Sequence, residues 1–273
     1  MKKILVPVDF SEISDNALDY AVELAQTASA SITLLHVYLP PVFVSDTLNM
    51  LPSPARMEQE FLLKMDRIRQ TILKKHAHLD ISCCCAPGIA VDEIDCYAKA
   101  HAIDLIVVGT QGAGYLEEKI FGSTAASLIR MASCSVMTID KNVHFKAPEC
   151  ILLATDFIET DTNSLLNPLK ELAALFGSHI YILNIIKRIT IESSAGEIAA
   201  GFELDHTLKH FHHTFFYSSH EEVTEGVNEF TEQHKMDMIV MIPHRHSIIS
   251  RLFTEPQTHK MAFHSKVPLL TLH

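Results

Sequence analysis

The chain has 273 residues, 48% of them hydrophobic and 20% charged, with a formal net charge of −11. That length holds two ordinary domains with buried cores, and the composition is that of a folded rather than a disordered chain. The acidic balance argues against nucleic-acid partners and anionic membranes, and no run approaches the ~20 apolar residues of a membrane span.

The opening, Met1 to Asp9, has too short an apolar run for a signal peptide, so a cytoplasmic location is expected. Ile4 to Val8 reads as a strand buried on both faces, ending at Asp9. Ser11 and Ser14 offer helix caps, and Ala17, Leu18, Ala21, Val22, Leu24 and Ala25 follow at helical spacing. Ser31 to Val37 is the second strand. Tyr38 to Pro54 carries Pro40, Pro41, Pro52 and Pro54 and reads as a long loop. Arg56 to His76 is a charged amphipathic helix with a solvated face. Asp80 to Cys85 is the third strand, Pro87-Gly88 a turn, Val91 to Ala102 a helix, and Leu105 to Val108 the fourth strand. Val136 to Ile139 is the fifth. The consecutive Cys83, Cys84 and Cys85 alternate across a strand; with no Cys-x-x-Cys spacing, the cysteines read as reduced, buried thiols.

Strands alternating with helices predict a parallel sheet covered on both faces. Ligands of such sheets bind beyond the carboxyl ends of the strands, where the winding reverses. The first and fourth strands carry the suggestive residues at those ends. If they are neighbours there, the strand order is 3-2-1-4-5 and both line one crevice.

The fourth strand feeds Gly109-Thr110-Gln111-Gly112-Ala113-Gly114, and Gly122-Ser123-Thr124 then opens a helix at Ala125 to Ala132. Glycines let backbone N–H groups approach an anion, and a helix start adds unpaired donors and the positive end of its dipole. This is a layout for phosphate.

After a polar segment from Asp140 to Glu149 the pattern restarts. Ile151 to Phe157 echoes Ile4 to Phe10, Asn163 echoes Asn16, Ile180 to Ile185 echoes Ile32 to Val37, Met236 to Val240 echoes Ile103 to Val107, and Leu269 to Leu272 echoes Val136 to Ile139. The chain reads as an internal duplication, with domains over residues 1–140 and 149–273.

Other constellations are weaker. His206 and His210, four apart, would share one helix face as a metal pair, but no carboxylate or cysteine completes a site, and surface histidines are expected. A Gly-x-Ser-x-Gly elbow is absent. So is the P-loop pattern with its phosphate-binding lysine.

Gly109-x-x-Gly112, nine residues, then Gly122-Ser123, together with the opening Val6-Pro7-Val8-Asp9-Phe10-Ser11, resembles the ATP-binding universal stress proteins. The resemblance covers both halves. It implies two tandem doubly wound α/β domains, Rossmann-like, packed as a pseudo-dimer through their fifth strands, with further homodimerisation as an option. By the same resemblance Pro7, Val8 and Asp9 sit by the adenosine and Val37 forms part of its apolar wall. Val108, Gly109, Gln111 and Gly112 wrap the ribose and first phosphate, and Gly122, Ser123, Thr124 and Ala125 hold the phosphates. The implied ligand is ATP, with or without Mg2+, and the implied role is a stress-response or signalling regulator with little or no turnover. The alternatives are an interaction scaffold that binds no nucleotide, and a slow ATPase.

One nucleotide per chain is expected. Aligning Asp104 with Asp237 places Gly109 on Ile242, Gly112 on Arg245, Gly122 on Glu255 and Ser123 on Pro256. The second copy therefore loses its glycines, and a proline there supplies no N–H to an anion.

Overall fold

A computed structural model describes residues 1–40, 53–110, 122–155, 162–186, 194–220, 222–243 and 266–273. The first half holds β1 (Lys3–Pro7), α1 (Glu12–Ala28), β2 (Ser31–Tyr38), α2 (Pro54–Lys75), β3 (Ile81–Pro87), α3 (Ala90–His101), β4 (Leu105–Gly109), α4 (Ser123–Met131) and β5 (Ser135–Ile139). The second holds β6 (Cys150–Thr155), α5 (Thr162–Leu165), α6 (Asn167–Phe176), β7 (His179–Ile186), α7 (Ser194–Leu208), β8 (His213–Ser219), α8 (Val223–Gln233), β9 (Met238–Met241) and β10 (Leu269–Thr271).

These elements form because the apolar periodicity matches each of them. The five residues of β4 are all buried, as a central parallel strand demands. Helix α1 starts where the Ser11 side chain accepts from the Ser14 N–H, and it ends on Ser29 in a left-handed conformation. Helix α2 buries only Met65 among its described side chains, in keeping with its charged face.

The strands make one ten-stranded sheet in the order β3-β2-β1-β4-β5-β10-β9-β6-β7-β8. The order 3-2-1-4-5 is therefore present in each half, running from the outer edge to the middle. Every neighbouring pair is parallel except β5 with β10, which pair antiparallel through Thr138 with Leu269, Met137 with Leu270 and Val136 with Thr271. Side chains reinforce that seam in a reciprocal way. The Thr138 hydroxyl donates to the Leu269 carbonyl at 3.4 Å, and the Thr271 hydroxyl donates to the Val136 carbonyl at 3.2 Å.

The two halves repeat one another in register. Ile4 faces Leu105 across β1 and β4, and Ile151 faces Met238 across β6 and β9, as the alignment of Asp104 with Asp237 requires. Both aspartates clamp the start of the first strand of their half. Asp104 accepts from the N–H groups of Lys2 and Lys3 at 2.6 and 2.9 Å and donates its own N–H to the Lys3 carbonyl. Asp237 accepts from those of Glu149 and Cys150 at 2.9 and 3.0 Å and donates to the Cys150 carbonyl.

Three features add to the sequence reading. The segment between the halves reads as a polar linker, yet it is anchored on both sides. The Asn16 amide donates to the carbonyls of Asp140 and Val143, Phe145 packs edge-on against Tyr20, and Ser178 donates to the Pro148 carbonyl. His206 and His210 are both exposed, as expected of surface histidines, and α7 stops at Leu208, before His210; His213, in β8, lies 3.0 Å from the Asp205 carboxylate. The six cysteines are unpaired, but none is fully buried: five are half-buried and Cys96 is exposed. Cys83 and Cys85 pack on one side of the sheet and Cys84 on the other, and burial pushes the Cys85 thiol up to about 11.

Candidate functional site

β1 lies between β2 and β4, so the winding reverses at the β1–β4 junction, and ligands of such sheets bind beyond the carboxyl ends of the strands at that point. The residues expected there arrive from both sides. After Pro7, which is half-buried, the Val8 N–H donates to the Leu35 carbonyl at 2.9 Å, and Val8 is buried on the α1 side of the sheet. Asp9 then emerges exposed. Its Oδ1 accepts from the Ser11 N–H at 3.0 Å and the Ser11 hydroxyl at 2.6 Å, so half of the carboxylate shapes the turn into α1. The neighbourhood is acidic. Burial, with the charges of Asp19 and Asp9, raises the pKa of Asp15.

Val37 and Val108 lie on the opposite side of the sheet, in the core under α3 and α4. Gly109 closes β4. A Cβ there would meet Ile13 Cγ2 at 2.6 Å and the Ile13 carbonyl oxygen at 3.1 Å. The glycine is thus required where α1 crosses β4, a packing reason that its place in the motif does not reveal. Gln111, Gly112 and Gly114 lie outside the described residues.

Thr110 and Gly122 meet at the far end of that loop. The Gly122 N–H donates to the Thr110 carbonyl at 2.6 Å, and the Thr110 N–H donates to the Ile139 carbonyl at 3.0 Å. These bonds bring the start of α4 back to the ends of β4 and β5. Gly122 is the N-cap of α4 and offers no side chain to cap it, whereas Ser11 and Ser53 cap α1 and α2. The first intrahelical bond runs from the Ala126 N–H to the Gly122 carbonyl, so the N–H groups of Ser123, Thr124 and Ala125 precede it. Ser123 is exposed and Thr124 half-buried, but the Ala125 side chain is buried in the core. Ala125 can serve an anion through its backbone alone.

A family model described as the universal stress protein family matches residues 1–140. The chain belongs to the universal stress protein family. Universal stress protein YxiE of Bacillus subtilis is 28% identical over 152 residues, which are 50% of this chain and 97% of that one. Universal stress protein MJ0531 of Methanocaldococcus jannaschii is 30% identical over 151 residues, 51% of this chain and 82% of that one. The crystal structure of a universal stress protein from Archaeoglobus fulgidus covers 98% of this chain and 95% of its own, with a TM-score of 0.68 at 16% identity, a likeness of fold.

Within this family member, sequence reasoning passed over the side chains that surround the Asp9 loop. His36 is buried in β2, with its Nδ1–H donating to the Val8 carbonyl at 2.7 Å. Its ring lies 4.6 Å from that of Phe10 and 4.3 Å from that of Phe61, centroid to centroid. Burial lowers the His36 pKa against the opposing bond to Val8. The signals were an ionisable residue in a largely apolar strand and a phenylalanine on a charged helix.

The matching place in the second half differs. Ile242, which stands where Gly109 stands, is 7% exposed and joins the core. Asp156, Arg245, Glu255 and Pro256 lie outside the described residues.

Proposed function

We propose that the chain binds one adenine nucleotide, ATP with or without Mg2+, in its first half, and acts as a stress-response or signalling regulator with little or no turnover. The observation that carries this reading is a carboxylate just past the end of β1 and an uncapped helix start tied back to the end of β4, the two neighbouring strands at which the winding reverses. Asp9 ends the β1 side, and Gly122, Ser123 and Thr124 open α4 on the β4 side. The polarity of this arrangement orients the ligand. Asp9 with Asp15 nearby repels phosphate and suits the hydroxyls of a ribose or the amine of a base. The N–H groups at the start of α4 and the positive end of its dipole suit the phosphates.

The first domain is residues 1–140 and the second, residues 149–273, is a degenerate copy that keeps the scaffold. Its loss of glycine at Ile242 supports a single site per chain. We place the protein in the cytoplasm; no helix of the described residues is long and apolar enough to cross a membrane.

Equilibrium dialysis with labelled ATP tests this reading, using ADP, AMP and cyclic AMP as competitors. Saturable binding by the unmodified chain is expected, with loss in Gly122→Val, whose branched side chain intrudes where backbone meets phosphate. An absence of saturable binding overturns the reading in favour of an interaction scaffold. Phosphate release from Mg–ATP at catalytic turnover overturns the non-enzymatic part and identifies a slow ATPase.

A further inference from the structure

Phe10 has a φ of 65°, in the left-handed region. Among the described residues three others with side chains share such a φ: Ser29 and Ala102, which cap the carboxyl ends of α1 and α3, and Lys235, which follows α8. At helix ends that conformation is routine. Phe10 sits at no helix carboxyl end. It lies between Asp9 and the N-cap of α1, where a residue with a Cβ resists this backbone.

Contacts from two distant elements hold it. The His36 ring of β2 stands 4.6 Å from the Phe10 ring, and the Phe61 ring of α2 stacks at 6.2 Å. The Lys64 ammonium, also from α2, lies 3.7 Å from the Phe10 ring centroid, in cation–π range. On the other side of Asp9, Val8 is fixed through its N–H to Leu35 and its carbonyl to His36. An exposed carboxylate therefore stands between two anchored residues, and the left-handed turn at Phe10 brings Ser11 onto its Oδ1.

We propose that Phe10 is a positioning residue for Asp9, and that Phe61 and Lys64 make helix α2 part of the adenylate-recognition apparatus. This rests on the nucleotide reading above. It adds that affinity depends on an aromatic and cationic brace more than fifty residues along the chain from the carboxylate it aims.

The test is a double-mutant cycle on ATP affinity in the full chain. It uses Phe10→Gly, which adopts the left-handed backbone freely and removes only the ring, and Asp9→Asn, which keeps an acceptor for Ser11 and removes the charge. Phe10→Gly is expected to weaken ATP by about tenfold in the unmodified background and by less than about twofold beside Asp9→Asn. Phe10→Tyr, which keeps the ring, is expected to stay within about twofold of the unmodified protein. Unchanged affinity in Phe10→Gly, or the same loss in both backgrounds, overturns the positioning role while leaving the nucleotide site standing. No ATP binding by the unmodified protein overturns the nucleotide reading and this inference with it. Should Phe10→Gly lose native circular dichroism, Lys64→Met enters the same cycle, with a loss of about threefold expected only where Asp9 is intact; equal losses again overturn the proposal.

Discussion

Gly109 shows how one residue serves two accounts. In the motif it belongs to the proposed ligand loop; in the fold it makes room for Ile13. Gly109→Ala should therefore cost stability whether or not a nucleotide is present, by about 1–3 kcal/mol as an overpacking change. Urea unfolding without ligand measures this, and an unchanged midpoint would contradict the packing role. Histidines carry a second prediction at this scale. Burial pushes the His273 imidazole down to about 4, against the opposing influence of the Ile129 backbone and Asp95, and its Nε2 has no hydrogen-bond partner among the described residues. His36 is lowered from the usual 6.5 as well. For both groups the unfolded chain takes up protons at a pH where the folded chain does not. Stability should fall as the pH drops below 6.5, and for His273 the loss should level off near 4. The part due to His273 is about 2 kcal/mol between pH 7 and pH 5. Denaturant midpoints at those two pH values, compared with His273→Leu, check it; a variant as pH-sensitive as the parent would refute the assignment. The motif residues Asp9, Gly109 and Gly122 were legible because glycine and carboxylate stand out at strand ends. The contact of Gly109 with Ile13 and the meeting of Phe10, His36 and Phe61 were not, since each depends on residues brought together only by the fold.

At the scale of elements, apolar runs revealed the buried strands directly, and β4 is buried along its whole length. The end of α7 carries no such signal: no glycine or proline punctuates the sequence at Leu208. The aspartate clamps are a device the sequence only hinted at, through the match of Asp104 with Asp237. Burial works against the Asp237 charge, yet the bonds from Lys146 and from the N–H groups of Cys150 and Glu149 outweigh it and hold the carboxyl below the usual range. That stabilisation is present above the ordinary carboxylate pKa of 3.8 and is lost as the pH falls through the lowered value. Asp237→Ala leaves two strand-start donors without this acceptor and should cost about 1–3 kcal/mol. Hydrogen exchange should show faster exchange at Glu149 and Cys150 with Lys2 and Lys3 unaffected. Equal protection at all four in the variant would show that the clamp does not hold β6.

For the whole molecule, the antiparallel pairing of β5 with β10 turns two five-stranded units into one continuous sheet. Each unit covers the edge that the other would otherwise expose. Leu270 is fully buried at the centre of this seam. Leu270→Asp should split a single cooperative thermal transition into two, as scanning calorimetry would show; one transition at the original temperature would mean that the halves unfold together for another reason. The seam also bears on function, because it pairs an intact loop scaffold with one whose Gly109 counterpart is Ile242. Stoichiometry is therefore the most direct measurement of the central claim. Calorimetric titration of the full chain with ATP should give one site per chain, abolished by Gly122→Val with the fold retained. Two equivalent sites per chain, or one site untouched by Gly122→Val, would contradict the account.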